Sequence, residues 1–222
     1  MTHYFSRVQL VARPRDSELL RDLSRHGDAY RDHALIWKLF PGDGLTRDFV
    51  FRSMLDDYGR PCYYVVSRRT PLADPALFQV QSKPYRPLLA AGEWVRFDLR
   101  ANPTVSRRQE GRSSQRHDVL MNAKRLLADG EDVCDSMDRA GKEWVLKRAE
   151  AWGLELRVES IQQDNYQQHR LRRKGKTIEY SSLDYQGMAR VGDGERLQQA
   201  LLEGVGHSKG FGCGLLLIKR VN

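Results

Sequence analysis

Apolar and polar residues alternate through "HYFSRVQLVAR" at residues 3–13, the spacing of a half-buried strand. The pattern then changes to a helical period across "DSELLRDLSRHGDAYRDHALIWKLFP", broken at Gly27 and stopped before Pro41, with Asp28 placed to cap the second segment. Strand-like runs follow at "RDFVFRSML" and "PCYYVVSRR", separated by the turn-forming "DDYGR", and again at "ALFQVQS". The proline-rich "KPYRPLLAAG", residues 83–92, reads as a linker. Beyond it come a strand "EWVRFDLRA", a helix "GKEWVLKRAEAWG" ended by Gly153, and two strands, "LELRVESIQQDNYQQHRL" and "KTIEYSSLDYQGMARV", joined through a basic turn. A helix "GDGERLQQALLEG" and a last strand "GCGLLLIKRV" complete the chain. The order β-α-β-β-α-β is the ferredoxin-like unit, and the first half reads as a worn copy of it. The predicted fold is therefore α+β, with two tandem ferredoxin-like (RRM-like) domains at residues 1–88 and 89–222, a length that lets each half bury its own core.

Charge adds the partner class. A formal net charge of +8 rests on 37 Lys and Arg, a balance that attracts polyanions in a salt-dependent way. Nucleic acid leads, and an anionic membrane surface competes. Against the membrane, the chain has no apolar run of about 18 residues and no signal-peptide core after "MTHYFSRVQL". Cys62, Cys134 and Cys213 are odd in number and far apart, which suits a reducing cytoplasm and does not suit a thiolate zinc site.

Five glycines fall within the eleven residues 204–214 of "GVGHSKGFGCG". Clustered bare N–H groups suit phosphate, and glycine also lets a helix and a strand pack closely, so both readings stand here. A dinucleotide loop must follow a strand and open a helix, whereas this one follows a helix and opens a strand, with Lys209 where the third glycine belongs. "KGKT" at 174–177 ends like a P-loop, but Arg170 occupies the position of its first glycine. A polymeric phosphate backbone is the better guest. "RLRRKGK", residues 170–176, places five cations in seven residues at a predicted hairpin tip, giving Arg170, Arg172, Arg173, Lys174 and Lys176 as candidate RNA contacts or a merely solvated loop. Arg107 and Arg108 lie in "VSRRQEGRSSQR", residues 105–116, a polar stretch without apolar period that predicts mobility until bound.

For chemistry, none of the six histidines forms a helical metal pair, and the acidic residues make no compact two-metal constellation. In "YRDHALIWKLFP" the spacing puts Tyr30, His33 and Trp37 on one helical face. Taken alone, such a stripe reads first as a core face.

At these residues the chain resembles a known family. "YRDHALIWKLFP", "KPYRPLLAAGEWVRFDLRANPT" and "GVGHSKGFGCGLLL" are similar to the CasE endoribonucleases of type I-E CRISPR systems, RAMP proteins with tandem ferredoxin-like domains that cut precursor CRISPR RNA. The resemblance runs from about residue 4 to 218, with "RANP" and the glycine-rich loop its most specific parts. It implies metal-independent cleavage at the base of a repeat stem-loop, no cofactor, and retention on the mature guide hairpin with the other Cascade subunits. The family's catalytic histidine matches His33; the accessory tyrosine and lysine match Tyr30 and Lys38. Five residues make about 500° of helix, so Lys38 leaves His33's face unless the helix ends or bends there. His26 lies outside the match and reads as a cation near a helix C-terminus. By the same resemblance "RLRRKGK" grips the stem, while Gly206, His207, Ser208, Lys209 and Gly210 cradle backbone phosphates beside the cut. A non-catalytic RNA-binding subunit and a small-molecule nucleotide enzyme are the competing readings.

Overall fold

The computed structural model describes residues 2–11, 21, 27–42, 46–107, 115–173 and 176–221, with the backbone alone at Arg172, Arg173 and Lys176. Strand β1 (His3–Leu10), helix α1 (Asp28–Lys38), β2 (Phe49–Leu55), β3 (Pro61–Ser67) and β4 (Phe78–Tyr85) form the first unit. Its antiparallel sheet runs β2-β3-β1-β4, so the α1 crossover carries the chain past β3, as in a ferredoxin-like domain. The second helix of the ideal unit is missing. Between β3 and β4 the chain holds Pro71 and Pro75, which oppose a helix there, and Asp74 instead closes a tight turn through Ala76 N (2.9 Å) and Phe78 N (2.8 Å). Leu35, Ile36 and Leu39 of the α1 segment pack with Phe40 onto Val8, Phe51, Tyr63 and Val65.

The second unit contains β5 (Trp94–Ala101), a hairpin of β6 (Thr104–Arg107) and β7 (Gln115–Asp118), helices α2 (Val119–Arg125) and α3 (Val133–Ala149), the long strands β8 (Leu154–Arg173) and β9 (Lys176–Val191), α4 (Gly194–Glu203) and β10 (Leu216–Arg220). Its order, β10-β5-β9-β8, repeats that of the first sheet. Two ferredoxin-like domains stand in tandem. Val95, Phe97 and Leu99 of β5, Trp144 and Val145 of α3, Tyr185 of β9 and Leu197 and Leu201 of α4 make its core.

Several elements differ from the sequence expectation, each for a local reason. Gly27, not Asp28, occupies the N-cap of α1, with φ +88°; Asp28 is the first helical residue and pairs with Arg31 at 2.7 Å. The expected linker begins as strand, since β4 continues through Tyr85 with Lys83 opposite Phe5. Helix α3 starts eight residues before Gly141 because Asp132 caps it, accepting from Asp135 N at 2.9 Å. β8 is not one even strand: its register shifts between Leu156 and Ile161 and between Asp164 and Gln167, with Asn165 at φ +55°. The ends of the polar stretch at 105–116 pair as β6 and β7, which replaces the expected unstructured segment there, while residues 108–114 lie outside the described residues. His26 and the segment before it for which a helix is expected also lie outside them, Arg21 excepted.

A buried charge network joins the two sheets. Arg52 of β2, 4% exposed, contacts Asp98 of β5 and lies 3.5 Å from Asp184 of β9, which also takes both Arg100 Nε and Nη2 at 2.7 Å. Arg100 and Arg52 hold the Asp184 carboxyl below its ordinary range against the cost of burial. Val50, Val66 and Leu215 close the same seam with apolar contact. This seam sets where α1 meets the C-terminal loop.

Backbone shape there is exacting. Gly214 adopts φ +89°, donates to Arg100 O at 2.7 Å and accepts from Val205 N at 2.8 Å; a Cβ would stand 2.3 Å from Val205 O. Gly214→Ala should therefore destabilise the protein by roughly 2 kcal/mol or more, read as a lower urea midpoint. An unchanged midpoint would show that the loop adapts freely.

Candidate active site

The site forms where the exposed side of α1 meets the loop between α4 and β10. Asp32, Leu35 and Ile36 turn inward, and Asp32 accepts from Tyr63 OH at 2.8 Å inside the domain, where burial first and then the carboxylate press the phenol toward its neutral form. His33, one residue on, stays half-buried at the rim. Trp37 takes the structural part of the predicted stripe, packing edge-on against Phe49 at 5.1 Å.

His33 Nδ1 lies 2.7 Å from Gly210 O. A carbonyl oxygen only accepts, so Nδ1 carries the proton and donates, and in the neutral ring the basic lone pair belongs to Nε2. The loop thus selects the tautomer. Phe211 stacks on the imidazole at 5.0 Å and 27°, Tyr180 of β9 on Phe211 at 5.3 Å, and His169 of β8 on Tyr180 at 4.5 Å. The catalytic candidate is therefore held from one side by a line of rings rooted in the β8–β9 ribbon.

The glycines now have separate uses. Gly204, Gly206, Gly212 and Gly214 have φ between +69° and +89°, whereas at Gly210 a side chain would meet Arg47 Nη1 at 3.2 Å and His33 Nδ1 at 3.6 Å. Ser208 also adopts φ +56°, and its hydroxyl accepts from Asn102 Nδ2 at 2.7 Å. The two most specific stretches of the resemblance, "RANP" and the glycine loop, touch each other at this bond. Lys209 turns back on α4, donating to Glu203 O at 3.0 Å and Gly204 O at 2.7 Å, where a cation also suits the helix dipole.

Beside this loop a cavity of about 980 Å³ opens between β7, β8 and β9, lined by Asn102, Arg116, His169, Arg170, His207 and Ser208 among others. Burial, then Arg116, Arg148 and Lys209, push the His207 pKa below its ordinary value, and burial with Arg100 does the same to His169. The cations gather on the side of His207 and His169, while Asp118 and Glu179 line the same cavity, so an anion is favoured only at the loop side.

Of the predicted residues, the structure brings His33 and Gly210 together, turns Lys209 back on α4, and sets His207, Ser208 and Arg170 around the cavity. Tyr30 is half-buried one turn before His33. Lys38 ends α1 and is exposed, before Leu39 and Phe40 close the helix through Ile36 O and Trp37 O. Arg170 is offset in part by Glu179 at 3.2 Å, and Arg107 ends β6. Arg172, Arg173 and Lys176 lie at the β8–β9 tip, with Lys174 and Arg108 outside the described residues. Sequence reasoning missed Phe211, Tyr180, Asn102 and Arg47. Asn102 and Phe211 stood inside stretches already singled out, while nothing in the loop before β2 marked Arg47. Among the described residues, no group of three or more His, Cys, Asp or Glu converges in a way that could hold a metal ion, and no helix is long and apolar enough to cross a membrane.

A family model described as CRISPR associated protein matches residues 3–220. The chain belongs to that family. Within the CRISPR-associated proteins it is 27% identical over 235 residues to the CRISPR-associated endoribonuclease Cse3 of Thermus thermophilus, spanning 95% of this chain and 98% of the relative. It is 26% identical to the CRISPR system Cascade subunit CasE of Escherichia coli K12, over 85% of this chain and 90% of the relative. Among solved structures it is similar to Thermus thermophilus Cse3 bound to an RNA representing a pre-cleavage complex, with a TM-score of 0.73, 24% identity and coverage of 99% and 100%. Escherichia coli Cas6e is a further match, at a TM-score of 0.64 and 21% identity over 98% of this chain and all of that one. The latter two establish the shared fold.

Proposed function

We propose that this protein is a metal-independent endoribonuclease that cleaves precursor CRISPR RNA at the base of the repeat stem-loop. It then stays on the mature guide hairpin together with the other Cascade subunits. The observation that carries the reading is the His33 imidazole, oriented by Gly210 O and Phe211 on the loop that also borders the cavity carrying Arg116, Arg170 and His207. The names of its relatives, an endoribonuclease and a Cascade subunit, agree with it. In this reading residues 1–88 supply the catalytic helix, and residues 89–222 the gripping hairpin and the glycine loop.

The RNA's own 2′-OH is the nucleophile. Its oxygen forms a bond to the adjacent phosphorus as the bond from phosphorus to the 5′-oxygen breaks. One proton leaves O2′ and one reaches O5′, leaving a 2′,3′-cyclic phosphate and a 5′-OH. Because Nδ1 donates to Gly210 whatever the ring's charge, Nε2 is the nitrogen that moves a proton. Tyr30, a turn away, orients the 2′-OH or a phosphate oxygen, and Lys38 adds positive charge at the helix end. His207, Ser208 and the basic hairpin tip hold the flanking backbone.

The test is cleavage of a repeat stem-loop RNA in excess EDTA, with a scrambled RNA lacking the stem as control. The expected result is one cut at the stem base. A stem-loop bound but left whole, with or without divalent ions, would make the protein a non-catalytic assembly subunit. Binding has its own expectation: neutralising Arg172, Arg173 and Lys174 together weakens the stem complex, and each lost phosphate contact lowers the log–log salt slope by up to about one. An unchanged affinity and slope would return this tip to a solvated loop.

A further inference from the structure

Arg47 has no part in the resemblance, yet it reaches the centre of the site. It precedes β2 by two residues, and its Nη1 stands 3.2 Å from the point where a Cβ on Gly210 would be, with His33 Nδ1 at 3.6 Å from the same point. A guanidinium and the candidate proton-transfer group thus flank one stretch of bare backbone. The acid next to it in sequence is engaged elsewhere, since Asp48 takes Arg69 Nε at 2.6 Å and Nη2 at 3.0 Å. Burial lowers the Arg47 pKa with no carboxylate among the described residues acting against it, and burial, then Arg47, lower that of Lys209. Two cations partly withdrawn from water beside a histidine make a place for an anion.

We infer that Arg47 is a catalytic residue whose guanidinium donates to the non-bridging oxygens of the scissile phosphate, an inference that rests on the cleavage reaction proposed above. As O2′ bonds to phosphorus and O5′ departs, negative charge builds on those oxygens. A fixed fork of N–H donors aimed at them is worth more in the transition state than in the ground state. Lys38, exposed at the end of α1, is the poorer placed cation for that task.

The experiment is single-turnover cleavage of the stem-loop by the full chain carrying Arg47→Gln, Arg47→Lys or Lys38→Gln, on RNA with oxygen or with either phosphorothioate diastereomer at the scissile phosphate. Arg47→Gln should slow the oxygen substrate about 10²-fold, with stem-loop Kd within a few-fold and the melting temperature unmoved. Arg47→Lys should recover only part of the rate, because a point charge does not replace a planar fork. One sulfur diastereomer should be cut slowly by the wild type, and its penalty should vanish in Arg47→Gln, since two changes at one contact are not additive. A wild-type rate in Arg47→Gln, a full sulfur penalty in that variant, or a larger loss in Lys38→Gln would overturn the assignment while leaving the endonuclease reading intact. A wild-type protein that cuts nothing would instead defeat the reaction on which it rests.

Discussion

His33→Ala lowers the single-turnover cleavage rate by about 10²- to 10⁴-fold, or roughly 2.7–5.5 kcal/mol of transition-state stabilisation, while the affinity for the stem-loop stays within a few-fold. The asymmetry follows from position. His33 sits at the rim, half-buried, and its Nδ1 is occupied by Gly210 O, so the group acts through Nε2 on a proton in flight and adds little to the hold on a bound stem. The buried contacts of α1 come from Asp32, Leu35 and Ile36, the last two fully covered, so removing the imidazole leaves the core intact. His26→Ala should be far milder. Single-turnover rates of the two variants in the opposite order would move the catalytic assignment off α1's face.

The two ferredoxin-like units were legible because they rest on local pattern: alternation in β1 and β5, the apolar run of β3 and the apolar stripe of α1 are properties of neighbouring residues. His33 was legible by resemblance, on a helix whose end before Pro41 the pattern had already marked. What escaped depended on contacts between distant parts of the chain. Arg52 with Asp98 and Asp184 reads in sequence as three ordinary charges on strands, and only the meeting of the two sheets makes them one buried network. Phe211 and Tyr180 looked like unrelated aromatics until the β8–β9 ribbon folded beside the glycine loop. The glycines of that loop were ambiguous for a physical reason: positive φ and close approach demand the same residue, and Gly214 answers both while Gly210 answers only the second. Asp28 misled because an Asp after a Gly suits either cap or first turn, and the αL-capable Gly27 took the cap.

The central claim is that the attacking atom belongs to the RNA. Replacing the single 2′-OH beside the scissile phosphate with hydrogen removes that atom and leaves the phosphate charge and the stem contacts in place. The measurement is cleavage and binding of this deoxy-substituted stem-loop beside the unmodified one, both in excess EDTA. The account predicts equal binding, complete loss of cutting in the deoxy RNA, and an upstream fragment from the unmodified RNA that ends in a cyclic phosphate or its hydrolysis product. A metal-activated water would cut the deoxy RNA and fail in EDTA. Robust cleavage of the deoxy-substituted RNA would contradict the internal nucleophile even if His33 proved essential.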